Sequence, residues 1–104
     1  MITAIFRYAD RTPLGFILSG HAGAGVAGED IVCAAVSSAA YMTANTLTEV
    51  CKAAADITVA DGEMSLTLQT PTKDTTTILQ GFILHLTALA QQYPQRISLQ
   101  NMEV

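Results

Sequence analysis

The sequence feature that most constrains the fold is a tight two-residue turn between two strand-like segments. Asp61-Gly62 is a strong signal for a two-residue hairpin, because both residue types accept the backbone angles that this turn requires. It separates residues 57–60 from residues 64–68, where Met64, Leu66 and Leu68 alternate with polar residues. We therefore predict two antiparallel strands joined at this turn.

A second hairpin is predicted at the beginning of the chain. Residues 2–8 are rich in aromatic and β-branched types, and a turn cluster at residues 10–13 follows them. Apolar positions then alternate over residues 14–19, which predicts the partner strand. A short alternating segment that begins at Ile97 predicts a final strand near the end of the chain.

Two segments have helical periodicity and complete the predicted element order. The first helix is expected to begin near Glu29 or Asp30, and its predicted apolar stripe consists of Val32, Val36, Ala39, Thr43, Leu47 and Val50. The second follows the Thr70-Pro71-Thr72 break and ends at Pro94, with the stripe Ile78, Leu79, Phe82, Ile83, Leu86, Leu89 and Tyr93. The predicted fold is α+β: one domain over residues 1–104 in the order ββαββαβ, with a mostly antiparallel sheet and two helices on one face.

Charge and hydropathy exclude several functional classes. The net charge is −4, so the chain lacks the cationic surface that nucleic acid requires and is better suited to a basic peptide partner. No signal peptide is visible at the N-terminus, and the most apolar stretch, residues 31–42, is interrupted by two serines. We judge this stretch too short to span a bilayer, and expect a cytoplasmic protein with no membrane partner.

The two cysteines do not suggest a disulfide or a metal site. Cys33 and Cys51 are 18 positions apart in one predicted helix, a separation of about 27 Å at the helical rise, which is too far for a disulfide. The two cysteines and two histidines are scattered without ligand spacing, so we expect no metal and no cofactor.

A glycine-rich segment that joins the second strand to the first helix carries the candidate chemistry. We expect residues 20–28 to form a loop. His21 lies near the start of this loop, and Cys33 lies in the first turn of the helix that follows it. A thiol near a helix N-terminus is stabilised as thiolate, and a nearby histidine makes it an activated nucleophile. Four glycines give this loop the freedom to act as a mobile lid: Gly20, Gly23, Gly25 and Gly28.

Each candidate residue also has a structural interpretation. Cys33 has alanine and valine neighbours and is also typical of a small buried residue, while His21 also fits a solvated loop position. Asp30 is interpreted as a helix N-cap or as a residue that orients His21. Ser37 is one helical turn after Cys33, where it either bonds back to the Cys33 carbonyl or supports the sulfur.

The remaining cysteine and histidine are weaker candidates for catalytic roles. Cys51 is interpreted as a buried structural residue. His85 is interpreted as a helix-surface residue, and it is the next candidate base if His21 does not fill that role.

Residues 23–28 also match the Gly-x-Gly-x-x-Gly pattern of dinucleotide-binding proteins. That pattern functions within a parallel βαβ unit, whereas the strand before it here belongs to a hairpin. A nucleotide-binding protein is therefore the weakest of three hypotheses about the function. The second is a small non-enzymatic α+β interaction module in which Cys33 is merely buried.

Residues 20–37 closely resemble the ribosomal-processing cysteine protease family, Prp. The resemblance lies in Gly20-His21-Ala22, Asp30-Ile31-Val32-Cys33 and the Ser37 that follows. It implies a bacterial endopeptidase that removes the N-terminal extension of a large-subunit ribosomal protein by cutting at a short hydrophobic, aromatic-containing motif.

The resemblance also implies residue roles and an assembly. Cys33 would be the nucleophile and His21 the general base and then acid, with helix N-terminal amides near Cys33 stabilising the oxyanion. The glycine-rich loop would be the lid over the peptide, and the protein would act as a homodimer.

Overall fold

The two predicted hairpins are present, and they provide four of the five strands of a single sheet. The computed structural model describes residues 1–20 and 27–104, with side chains described for residues 1–20 and 31–104. The elements in chain order are β1 (Ile2–Ala9), β2 (Thr12–Ser19), α1 (Ala27–Asn45) with a π-helical extension (Thr46–Val50), β3 (Ala55–Ala60), β4 (Glu63–Leu68), α2 (Lys73–Gln92) and β5 (Ile97–Glu103). This order confirms the prediction of ββαββαβ.

The strands lie in the spatial order β3-β4-β2-β1-β5. The pairs β1–β2, β2–β4 and β3–β4 are antiparallel, and only β5 lies parallel to its neighbour β1. The sheet is therefore mostly antiparallel, as expected. The arrangement places β3 at one edge of the sheet and β5 at the other.

Both helices cover the same face of the sheet and form one hydrophobic core with it. Phe6, Phe16 and Leu66 are directly opposite one another on β1, β2 and β4, so their side chains share a face. Phe82 of α2 packs on both phenylalanine rings, with centroid distances of 6.2 Å to Phe6 and 4.6 Å to Phe16. The fully buried Leu47 belongs to the same core.

The predicted α1 stripe is correct except at Ala39, which is only half-buried, and at its last position. Val32, Val36, Thr43 and Leu47 are buried, but Val50 is 74% exposed. The helix widens into a π-helical segment at Thr46–Val50, where the Cys51 N–H bonds to the Thr46 carbonyl five residues earlier. The wider turn changes the angular advance per residue, and Val50 consequently faces away from the core.

The second helix begins and ends where the sequence predicts. The Thr72 hydroxyl accepts from the Thr75 N–H at 3.2 Å, and the Thr75 hydroxyl accepts from the Thr72 N–H at 2.8 Å. This reciprocal capping satisfies backbone donors that have no partner within the helix. The helix ends at Gln92, two residues before Pro94.

The expectation that the apolar part of α1 is too short to span a bilayer is wrong as a statement about length. Residues 31–50 form a 20-residue helical segment with mean hydropathy 1.2, which meets the length and composition criterion for a membrane span. The core helix of a globular protein meets the same criterion, and Val32, Val36 and Leu47 are buried here against the sheet and α2.

The sheet leaves no room for a side chain at Gly15. A Cβ there would overlap the backbone carbonyl oxygen of Leu66 on β4. We expect Gly15→Ala to lower the free energy of unfolding by about 3 kcal/mol in urea titrations, because backbone must shift. Gly81→Ala on α2 meets nothing within 4 Å, so this control should raise stability by about 0.5–1 kcal/mol. Equal stability of the two variants would contradict the close strand packing.

Candidate active site

Cys33 lies half-buried on α1, in a cleft between that helix and the edge of the sheet. The cleft has a volume of about 160 Å³. One wall is formed by successive turns of α1, because Val36, Ser37 and Ala40 follow Cys33 at helical spacing. The facing wall comes from the β2 end and the β3–β4 hairpin and includes Gly20, Val59, Gly62 and Met64.

The start of α1 differs from the prediction and changes two expectations. The helix begins at Ala27, so Asp30 lies within its first turn rather than at the N-cap, and Cys33 follows in the second turn. The electrostatic effect of a helix N-terminus falls off beyond the first turn. In a regular helix the N–H at position 33 also bonds to the carbonyl at position 29. The expected oxyanion site at free helix amides beside Cys33 is therefore not supported.

Gly20 holds the end of β2 at the cleft. Its N–H donates to the Gly62 carbonyl at 3.0 Å, which ties it to the β3–β4 turn. Its φ of +94° is favourable only for glycine, and a Cβ there would overlap the Met1 carbonyl oxygen. The residue is thus fixed in position, in contrast to the predicted place of Gly20 in a lid.

Several predicted site residues lie outside the part of the chain that the structure describes. These are His21 and two of the lid glycines, Gly23 and Gly25. Gly28 was expected in the loop but belongs to α1, because the helix begins one residue before it.

Ser37 lies in the same cleft as Cys33, as its spacing of four residues predicts. Thr43, Thr46 and Thr48 each donate a hydroxyl hydrogen bond to the carbonyl four residues earlier. Among the described residues no such bond from the Ser37 hydroxyl to the Cys33 carbonyl is found. The Ser37 hydroxyl is exposed and available to a group bound in the cleft.

His85 and Cys51 do not line the Cys33 cleft. His85 is exposed on α2 and lines a separate groove between the two helices, together with Ser38 and Met42 of α1. Cys51 is half-buried just after the π-helical segment, and neither cysteine is in a disulfide. His85 is therefore poorly placed to act as the base for Cys33.

The second hairpin is the part of the cleft that sequence reasoning missed. Val59 and Met64 are directly opposite each other on β3 and β4, and both face the Cys33 cleft. No local sequence signal connects residues 59–64 with Cys33, because their proximity results from the strand order. The 56% exposure of Val59 is the structural sign that this edge of the sheet is uncovered.

The dinucleotide-binding alternative does not fit the fold. The strand before the Gly-rich segment, β2, is antiparallel to both neighbours, β1 and β4, so it cannot begin a parallel βαβ unit.

Within residues 1–20 and 27–104, no group of three or more His, Cys, Asp or Glu side chains is placed to hold a metal ion.

Comparison with solved structures shows close relatives of the whole fold. SMU.848 from Streptococcus mutans is 30% identical, with a TM-score of 0.90 over 100% of this chain and 96% of that chain. The essential ribosomal processing protease Prp from S. aureus has been crystallised with a covalently linked product peptide (27% identical, TM-score 0.88) and with a substrate peptide (26% identical, TM-score 0.89). Both matches cover 98% of this chain and 100% of the other. None of the curated protein sequences compared with the chain matches it.

The fold is that of a cysteine protease. The family model described as cysteine protease Prp matches residues 1–98, nearly the full length. The chain belongs to the Prp family of cysteine proteases, and the resemblance inferred from residues 20–37 is confirmed. Membership in a protease family removes the reason to interpret the chain as a non-enzymatic interaction module.

Proposed function

We propose that this protein is an endopeptidase that removes the N-terminal extension of a bacterial large-subunit ribosomal protein, with Cys33 as the nucleophile. The observation that carries the proposal is the position of Cys33, half-buried in a cleft at the edge of the sheet. The S. aureus relative, a ribosomal processing protease crystallised with a substrate peptide, supports the same substrate class.

His21 is the proposed general base and acid. It follows directly on Gly20, which lines the Cys33 cleft and is tied to Gly62. Because consecutive Cα atoms are about 3.8 Å apart, this covalent bond limits how far the imidazole can be from the cleft. Asp30, three residues before Cys33, is the proposed orienting residue for this pair.

In the first half of the proposed reaction, the Cys33 thiolate attacks the scissile carbonyl carbon and forms a C–S bond. The peptide C–N bond breaks, and the protonated His21 gives its proton to the departing amine. In the second half, His21 removes a proton from water, and the resulting hydroxide attacks the thioester carbon. The C–S bond breaks, which releases the new carboxylic acid and restores the thiolate beside protonated His21, and the acid then loses its proton to solvent.

The test of the proposed function is cleavage of peptides that span the N-termini of the host's large-subunit ribosomal proteins, read by mass spectrometry. We expect one peptide to be cut at one bond, within an apolar segment that contains an aromatic residue. Cleavage of none of these peptides, or uniform cleavage of unrelated apolar peptides, would contradict the ribosomal assignment.

Ser37 is proposed to support the reacting sulfur or the bound peptide. We expect Ser37→Ala to lower kcat/KM by up to about tenfold, the value of one hydrogen bond. The thermal midpoint should be unchanged, because the hydroxyl is exposed. The neighbouring Ser38 faces the other groove, so Ser38→Ala is the matched control and should keep full activity. Equal activity of both variants would exclude a role for Ser37.

The homodimer and the cytoplasmic location remain part of the proposal. The outer side of α1 exposes large apolar residues, including Ile31 at 64% and Met42 at 73%, which are suited to contact with a second copy. A ribosomal-protein substrate would place the proposed protease in the cytoplasm, and two free thiols are compatible with that reducing compartment. Light scattering of the purified protein at micromolar concentration measures the oligomeric state.

A further inference from the structure

Within residues 1–20 and 27–104, the edge strand β3 has one row of backbone hydrogen-bonding groups that pairs with no other strand. It pairs with β4 on one side, and no other described strand pairs with it. The Gln69 N–H bonds to the Ala54 carbonyl at 3.0 Å, which sets the alternation of the ladder. Residues 56, 58 and 60 therefore bond to β4, and the backbone groups of Ala55, Ile57 and Val59 point outward.

The exposed edge of β3 lacks the usual protection against pairing with another chain. Natural edge strands carry lysine, proline or bulges that block pairing. Residues 55–60 contain neither lysine nor proline, and their pairing with β4 is regular. Their one charged residue, Asp56, lies on the face of the sheet opposite to Ile57 and Val59. Instead, Ile57 is 41% exposed and Val59 is 56% exposed. An apolar, regular and uncovered edge is suited to receiving an extended chain.

This edge runs directly into the cleft that contains Cys33. Val59 is both an outward-pointing residue of the edge and a lining residue of the cleft. The side chains of Ile57 and Val59 lie on the same face of the sheet as α1, because they are directly opposite Leu66 and Met64. A polypeptide paired with β3 and continued past Val59 would therefore enter the cleft beside the sulfur.

We infer that β3 is the docking strand for the substrate, which adds to the sheet as a sixth, extended strand. Pairing of this kind supplies affinity through the main chain, while alternate side chains provide specificity. Here every second substrate side chain faces Ile57 and Val59, which favours apolar residues. A second copy of this chain on the same edge would cover the entrance to the cleft. The inference rests on the proposed protease function and adds how the substrate is held.

Amide exchange measured by NMR on the Cys33→Ala variant tests this directly. The probe is a peptide that the wild-type protein cleaves, whatever its source, so failure of the ribosomal assignment leaves this test intact. On binding, the Ile57 and Val59 amides should exchange at least about tenfold more slowly, because they gain hydrogen bonds. Thr58, already bonded to β4, should change little. A peptide that binds without protecting Ile57 and Val59 overturns the inference and leaves the proposed function standing.

A matched pair of variants tests the side-chain half of the inference. Ile57 on β3 and Met102 on β5 are 41% and 39% exposed on the two opposite edges of the sheet. Ile57→Lys should raise KM by about tenfold through loss of one apolar contact, whereas Met102→Lys should leave KM unchanged. Equal KM values in the two variants contradict the inference. So does conversion of a wild-type dimer to monomer by Ile57→Lys alone, since that result assigns the edge to a second copy.

Discussion

Replacement of Cys33 by alanine is expected to abolish peptide cleavage while the protein stays folded. Loss of a catalytic nucleophile typically lowers kcat by a factor of about 10⁴ or more. The change removes one sulfur from a half-buried position beside a cleft, so the free energy of unfolding should fall by about 1 kcal/mol or less. Cleavage is measured by mass spectrometry, and unfolding by circular dichroism in urea.

Cys51→Ala is the control for the nucleophile. Cys51 is also half-buried and free, but it does not line the Cys33 cleft. The variant should keep full activity with a similar change in stability. An active Cys33→Ala protein, or an inactive but folded Cys51→Ala protein, would show that the nucleophile has been assigned to the wrong thiol.

Replacement of His21 by alanine is expected to lower kcat by a factor of about 10²–10⁴, because the thiol then lacks its base and the departing amine lacks its acid. Alkylation of Cys33 by iodoacetamide at neutral pH should also slow, since the thiolate reacts and the neutral thiol does not. This second readout separates loss of activation from loss of peptide binding.

His85→Ala is the matched control for the base, because His85 is exposed in the separate groove between α1 and α2. It should retain wild-type cleavage and alkylation rates. If His85→Ala is inactive and His21→Ala is active, the assignment of the base is wrong.

Local sequence patterns predict most of the elements in this chain. Asp61-Gly62 forms the β3–β4 turn, and the Thr72–Thr75 capping pair begins α2. Both are set by interactions between residues only a few positions apart, which is why sequence reasoning finds them. The exposure of Val50 is different, because it depends on the π-helical turn at the end of α1, which residue types alone do not signal.

The candidate site was predictable only in part. Cys33 and Ser37 share a helix, so their common position in the cleft follows from spacing alone. The facing wall depends on β4 pairing with β2, which brings Val59 and Met64 to the helix from far along the chain.

The first turn of α1 differs from the prediction because the sequence favours Glu29 or Asp30 over Ala27 as the start of the helix. Cap and charge preferences leave helix boundaries uncertain by a few residues.

The most direct test of the central claim is to identify the residue that reacts with a substrate-like electrophile. The wild-type protein is treated with a chloromethyl ketone built on the N-terminal half of a cleaved peptide, and the adduct is located by digestion and mass spectrometry. One adduct per chain is expected, on Cys33, and it should form much more slowly in His21→Ala. An adduct on Cys51, or equal labelling of both cysteines at a rate independent of His21, would contradict the central claim.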